Sequence, residues 1–126
     1  MTIFLTHNRI KLALHQLRAG DGRPLLHLHA LGEHSPERVP DDVASWPGPV
    51  FALDFTGHGA SRLPGGGGYT AEVLIGAADA ALQMLGQATL VGRGIGAYVA
   101  LLISAARTNQ VRGAILCDGA GLVGGG

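Results

Sequence analysis

At 126 residues the chain is long enough to close a sizeable core as a single domain over 1–126, and too short for two domains of ordinary size. Nine Lys and Arg balance nine Asp and Glu, with no basic block to track phosphates and no acidic tail, so nucleic acid is not expected as a partner. An aliphatic-rich, aromatic-poor composition suits buried parallel strands covered by helices.

In chain order, Ile3-Phe4-Leu5 and Leu12 to Leu17 are predicted as two strands, with His7-Asn8-Arg9 as the polar break of a hairpin. His7 and His15 are expected at its surface. After the turn Ala19 to Pro24, Leu25 to His29 forms a short apolar strand and Ala30 to Ser35 a loop. A short helix is predicted from Ser35 or Pro36 to about Ser45, ended by Trp46-Pro47-Gly48-Pro49. Val50 to Asp54 is a buried strand, followed by a loop through Gly68. Thr70 is a natural N-cap for a helix to Leu85, whose apolar stripe is Val73, Leu74, Ala77, Ala81 and Leu85. Thr89 to Val91 is a strand, Gly96 to Arg107 a helix and Gly113 to Cys117 a last strand. Strands alternating with helices imply parallel pairing through right-handed crossovers, hence an α/β fold.

The longest apolar run, Ala97 to Ala106, falls short of the roughly 20 residues that cross a bilayer. No charged start, apolar stretch and small-residue cleavage site marks a signal peptide, so the expectation is a cytoplasmic protein without a membrane partner. Cys117, the lone cysteine, has no internal disulfide partner and is expected as a small buried core residue.

Four ordered features resemble the N-terminal half of the α/β hydrolases. His29-Ala30-Leu31-Gly32 is similar to the H-G-x-G oxyanion loop, with Ala30 where glycine is common. Asp54 to Ser61 is close to D-x-x-G-H-G-x-S, with His58 as its loop histidine. Gly92-Arg93-Gly94-Ile95-Gly96 is similar to the nucleophile elbow G-x-S-x-G, and Ala114 to Gly119 looks like the sixth strand and its exit. The resemblance implies an antiparallel N-terminal hairpin leading into a mostly parallel sheet with helices on both faces. It ends before strands seven and eight, from which the family draws its acid and its histidine.

By that resemblance Gly94 stands in the nucleophile position and offers no group to activate. The backbone N–H groups of Leu31 and Ile95 take the oxyanion places, and Asp118 is a weak candidate for the acid. His29, Arg93 and Tyr98 are the candidate ligand contacts, Arg93 being equally able to pair with a nearby carboxylate. A metal centre built on His27, His29, Glu33, His34 and His58 is not expected, and no cofactor is. The resemblance thus implies an esterase-like or carbon–carbon hydrolase relative that is catalytically inactive. The alternatives are a ligand- or partner-binding module on the same scaffold, or a hydrolase with a non-standard nucleophile. The last strand, bare and apolar, is expected to drive self-association.

Overall fold

The computed structural model describes residues 1–7, 10–30, 33–55 and 71–118. Six strands form one sheet: β1 (Thr2–His7), β2 (Ile10–Arg18), β3 (Leu25–Leu28), β4 (Val50–Leu53), β5 (Ala88–Arg93) and β6 (Val111–Cys117). Helix α1 (Ala71–Leu85) links β4 to β5, and α2 (Ile95–Ala106) links β5 to β6. The spatial order is β1-β2-β4-β3-β5-β6. β1 and β2 pair antiparallel from Thr2↔His15 to His7↔Ile10, which is the predicted hairpin. β2 also runs antiparallel to β4, whereas the β3–β4, β3–β5 and β5–β6 pairs are parallel.

Alternation divides the sheet between two cores. Leu26 and Leu28 of β3, with Leu12, Leu14, Leu53 and Leu90, face α1 and α2, which bury Leu74, Ala77, Ala81, Val99 and Ile103 against them. Of the predicted stripe of α1, Leu74, Ala77 and Ala81 are buried, Val73 and Leu85 are half-buried, and Ala78 and Leu82 join the buried face. Leu25, Val50 and Val91 face the other way and are covered by Val39, Val43 and Trp46. Fully burying one such aliphatic side chain contributes about 1.5–3 kcal/mol, so the alternation fixes which face each strand shows to each layer.

The second layer departs from the sequence expectation. In place of a helix from 35 to 45, only a 3-10 turn forms, Asp41–Val43. Pro40 is the reason: it has no N–H to give a helix and it disfavours helical backbone at Val39. It sits instead as an extended N-cap, φ −61° and ψ 148°. The segment is pinned by Arg18, whose guanidinium donates to the carbonyls of Ala44 (3.0 Å), Trp46 and Gly48 (2.9 Å). Gly48 allows a close backbone approach, since a Cβ there would lie 2.2 Å from the Arg23 carbonyl oxygen.

Two further expectations change. Cys117 is half-buried on the edge strand, not a core residue. His7 packs against α1, close enough that a Cβ on Gly76 would lie 2.5 Å from its Nε2. Thr70, His58 and Ser61 lie outside the described residues. Among the described residues no helix is long and apolar enough to cross a membrane.

Candidate functional site

After β3 the chain moves to β4 on one side, and it then returns by α1 to β5 on the other. Loops leaving the carboxyl ends of β3 and β5 therefore diverge, and the crevice between them is where open α/β sheets place ligands. Gly94 and His29 stand at the two lips of that crevice.

Gly94 connects β5 to α2 with φ 59° and ψ −122°, a backbone conformation that residues with a Cβ adopt only under strain. Its carbonyl accepts the N–H groups of Ala97 (2.9 Å) and Tyr98 (3.3 Å), and its own N–H donates to Cys117 O at 3.1 Å. The flanking glycines serve close packing. A Cβ on Gly96 would lie 2.2 Å from Leu28 O and 2.7 Å from His29 O, and one on Gly92 would lie 2.4 Å from Gly96 O. The helix thus begins in contact with the end of β3. Ile95, its first residue, has an N–H with no partner inside the helix, as follows for the first residue of any helix.

His29 is fully buried. Phe55 N–H donates to its Nε2 at 2.9 Å, so the ring proton lies on Nδ1, which donates to Ala30 O at 2.7 Å. Its ring also meets Phe55 edge-on, with centroids 4.9 Å apart. With both nitrogens engaged, His29 shapes the loop by tying the exit of β3 to the exit of β4. Leu31, the second oxyanion candidate, lies outside the described residues.

Glu33 closes this loop and joins it to the elbow. Its Oε1 accepts the Ala30 N–H at 3.1 Å, while Glu33 N–H donates to Ala30 O at 3.1 Å. Arg93 Nε reaches both of its carboxylate oxygens, at 3.1 and 3.3 Å. Partial burial works against the charged form of Glu33, but the Ala30 N–H and the Arg93 guanidinium together hold the carboxyl below its ordinary range. Arg93 therefore takes the carboxylate-pairing role of its two expected ones. His27 lines a cavity of about 470 Å3 with Glu33, His34 and Arg93. Burial lowers its pKa against the opposing charges of Asp42 and Glu33, which favours the neutral ring. Tyr98 is 42% exposed one turn into α2, and Asp118 is exposed just beyond the Cys117 carbonyl that receives the Gly94 N–H. Among the described residues no three His, Cys, Asp or Glu side chains converge as a metal site.

Two functional features escaped the sequence reading. Glu33 as the clasp needed the fold, because it binds a residue 60 positions away. His15 is partly exposed in the hairpin, and its Nε2 lies 2.7 Å from Oδ2 of buried Asp54, across 39 residues. The Asp-led motif after β4 was the available signal for a buried carboxylate, but nothing local identified its partner.

No family model matches the sequence, and no curated protein does. Solved structures do match it in three dimensions. The thioesterase domain from the curacin biosynthetic pathway superposes with a TM-score of 0.81 at 24% identity, over 92% of this chain and 45% of that one. This is the α/β-hydrolase fold. An epoxide hydrolase from Vigna radiata is similar at TM-score 0.74 and 22% identity, over 92% of this chain and 39% of its own. An N-acyl homoserine lactone degrading enzyme is similar at 0.75 and 22%, over 90% and 44%. The chain thus spans less than half the length of these α/β-hydrolase-fold structures, and it matches their architecture in the mixed six-stranded sheet.

Proposed function

We propose that this chain is an α/β-hydrolase-fold protein of esterase or carbon–carbon hydrolase type whose elbow is catalytically silent, and whose crevice serves as a small-ligand site. One observation carries the reading. The elbow backbone has the sharp strand-to-helix turn on which such enzymes mount a serine, and the residue in that turn is Gly94. Nothing there can attack a carbonyl. His29, at the lip of the crevice, is committed to Phe55 and Ala30. What remains are backbone donors, and the N–H of Ile95, at the start of α2, is the one we assign to a carbonyl oxygen of a ligand, with Leu31 as its partner by resemblance alone.

The test is steady-state release of 4-nitrophenol from 4-nitrophenyl butyrate. It is run in a Thr2→Ala background, which removes the hydroxyl that stands 2.8 Å from His15 Nδ1. Neither that variant nor the same variant carrying Gly94→Ser should exceed the buffer rate. Turnover without the serine would establish a non-standard nucleophile. Turnover appearing only with it would show that a base is in place.

The outer edge of β6 supports a second part of the proposal, self-association between copies. β6 pairs only with β5 among the described residues, and Ile115 and Leu116 are each 48% exposed. An apolar edge with one charge, Arg112, is a template for strand pairing. Two copies related by a two-fold axis could each satisfy the other's edge. Light scattering should show dimers or larger species that Ile115→Lys shifts toward monomer; a stable dilute monomer of the unaltered chain would overturn this.

A further inference from the structure

A second polar assembly lies at the β1–β2 edge of the sheet, away from the elbow. Thr2 and His15 face each other across the β1–β2 register, and Thr2 Oγ1 is 2.8 Å from His15 Nδ1. The other ring nitrogen, Nε2, is 2.7 Å from Asp54 Oδ2. Asp54 is 2% exposed, and its Oδ1 accepts the Ser35 N–H at 2.9 Å, which fixes the carboxylate. An ionised carboxylate only accepts, so His15 carries its proton on Nε2. In the neutral ring Nδ1 is then the acceptor for the Thr2 hydroxyl. A hydroxyl, an imidazole and a buried carboxylate stand in the order nucleophile, base and orienting group, each within hydrogen-bond reach of the next.

The assembly opens on a cavity of about 380 Å3 whose lining includes Thr2, His15, Ser35 and Asp54. Ser35 adds an independent observation. Its Oγ is buried and has no hydrogen-bond partner among the described residues, although buried hydroxyls are normally satisfied. The residue that carries it is one of those lining the cavity.

We propose that Thr2 Oγ is an acyl-accepting nucleophile, and that small activated esters are the class of acyl donor it takes. Thr2 Oγ bonds to the carbonyl carbon as its proton passes to His15 Nδ1. The ester C–O bond then breaks, and the proton moves from His15 to the departing oxygen. The products are an O-acyl threonine and a free alcohol or phenol. Asp54 keeps the ring oriented and stabilises its transient positive charge. The site shares no residue with the elbow, so the two stand or fall separately.

The experiment treats the full chain with 4-nitrophenyl acetate and follows it by intact mass, peptide mapping and hydroxylamine treatment. The expected result is an acetyl group on Thr2 in ester linkage, removed by hydroxylamine. Thr2→Ser should retain the label and Thr2→Ala, a change at an exposed edge position, should lose it. His15→Ala should slow labelling about 100-fold, the ordinary contribution of a positioned general base. If His15→Ala fails to fold by circular dichroism, the Ser and Ala pair at Thr2 decides alone. Labelling confined to the Met1 amine, which gives a hydroxylamine-stable amide, would overturn the proposal. So would equal labelling of Thr2→Ala.

Discussion

The elbow and the Thr2–His15–Asp54 assembly are complementary halves of one chemical requirement. At the elbow the backbone geometry is complete: glycines at 92 and 96 let α2 start against β3, and Gly94 takes the strained turn. Its central residue carries no side chain. At the β1–β2 edge hydroxyl, imidazole and carboxylate are aligned through hydrogen bonds of 2.8 and 2.7 Å, two of them carried by the hairpin strands and the third by the residue after β4. A site's shape can therefore persist through backbone and glycine positions alone, while its chemistry depends on single side chains that one substitution removes.

The strongest way to break the elbow side of that comparison is Gly96→Val. A Cβ at this position meets two backbone oxygens, which cannot rotate away as a flexible side chain could. Overpacking of a core typically costs about 1–3 kcal/mol, and a clash with fixed backbone belongs at or above the top of that range. Urea titration should show this loss, or no folded protein. A cost under about 0.5 kcal/mol would mean that α2 and β3 are not locked together as the geometry requires.

Gly94→Ser should cost less, about 1–3 kcal/mol, because the strain there is in one residue's own backbone and not in a collision. The comparison sharpens if Gly94→Ala matches Gly94→Ser. Equal costs would show that the turn charges any Cβ alike, so that a serine gains nothing from its hydroxyl. A serine clearly less costly than alanine would instead reveal a hydrogen-bond partner waiting at the nucleophile position.

Much of this was legible because the signals were local. Apolar runs bounded by Gly and Pro marked β3, β4 and β5, and the 3.6-residue stripe marked α1. The glycine spacing marked the elbow and even its conformation, since a tight strand-to-helix turn leaves few residues able to occupy it. The failures came where distant residues or prolines decided. Pro40 cut the helix expected from 35 to 45 down to one turn, overriding an otherwise permissive composition. Nothing near His15 in sequence pointed to its partner, Asp54, which β4 delivers from 39 residues away. Arg93 had two plausible partners in sequence, and only the position of the 29–33 loop chose Glu33.

The smallest expected effect tests that clasp. Arg93 and Glu33 are both well exposed, so their pair should contribute no more than about 1 kcal/mol to stability. The sign of its pH dependence follows from the depressed carboxyl. In the folded chain Glu33 releases its proton at lower pH than in the unfolded chain, so the contribution is fully present above the ordinary carboxylate value of 4.5 and fades as pH falls through the depressed value. Glu33→Gln should remove that acid-side slope while leaving stability at pH 7 within about 1 kcal/mol. The more telling consequence lies at the crevice. Glu33 holds the loop through Ala30 as well as Arg93, so Glu33→Ala, which removes the acceptor, should speed amide hydrogen exchange at Ala30 more than Arg93→Ala does. Equal acceleration by the two changes would mean that the Ala30 contact depends wholly on the Arg93 pair; no acceleration by either would mean that His29, through Phe55 and Ala30, holds the loop unaided.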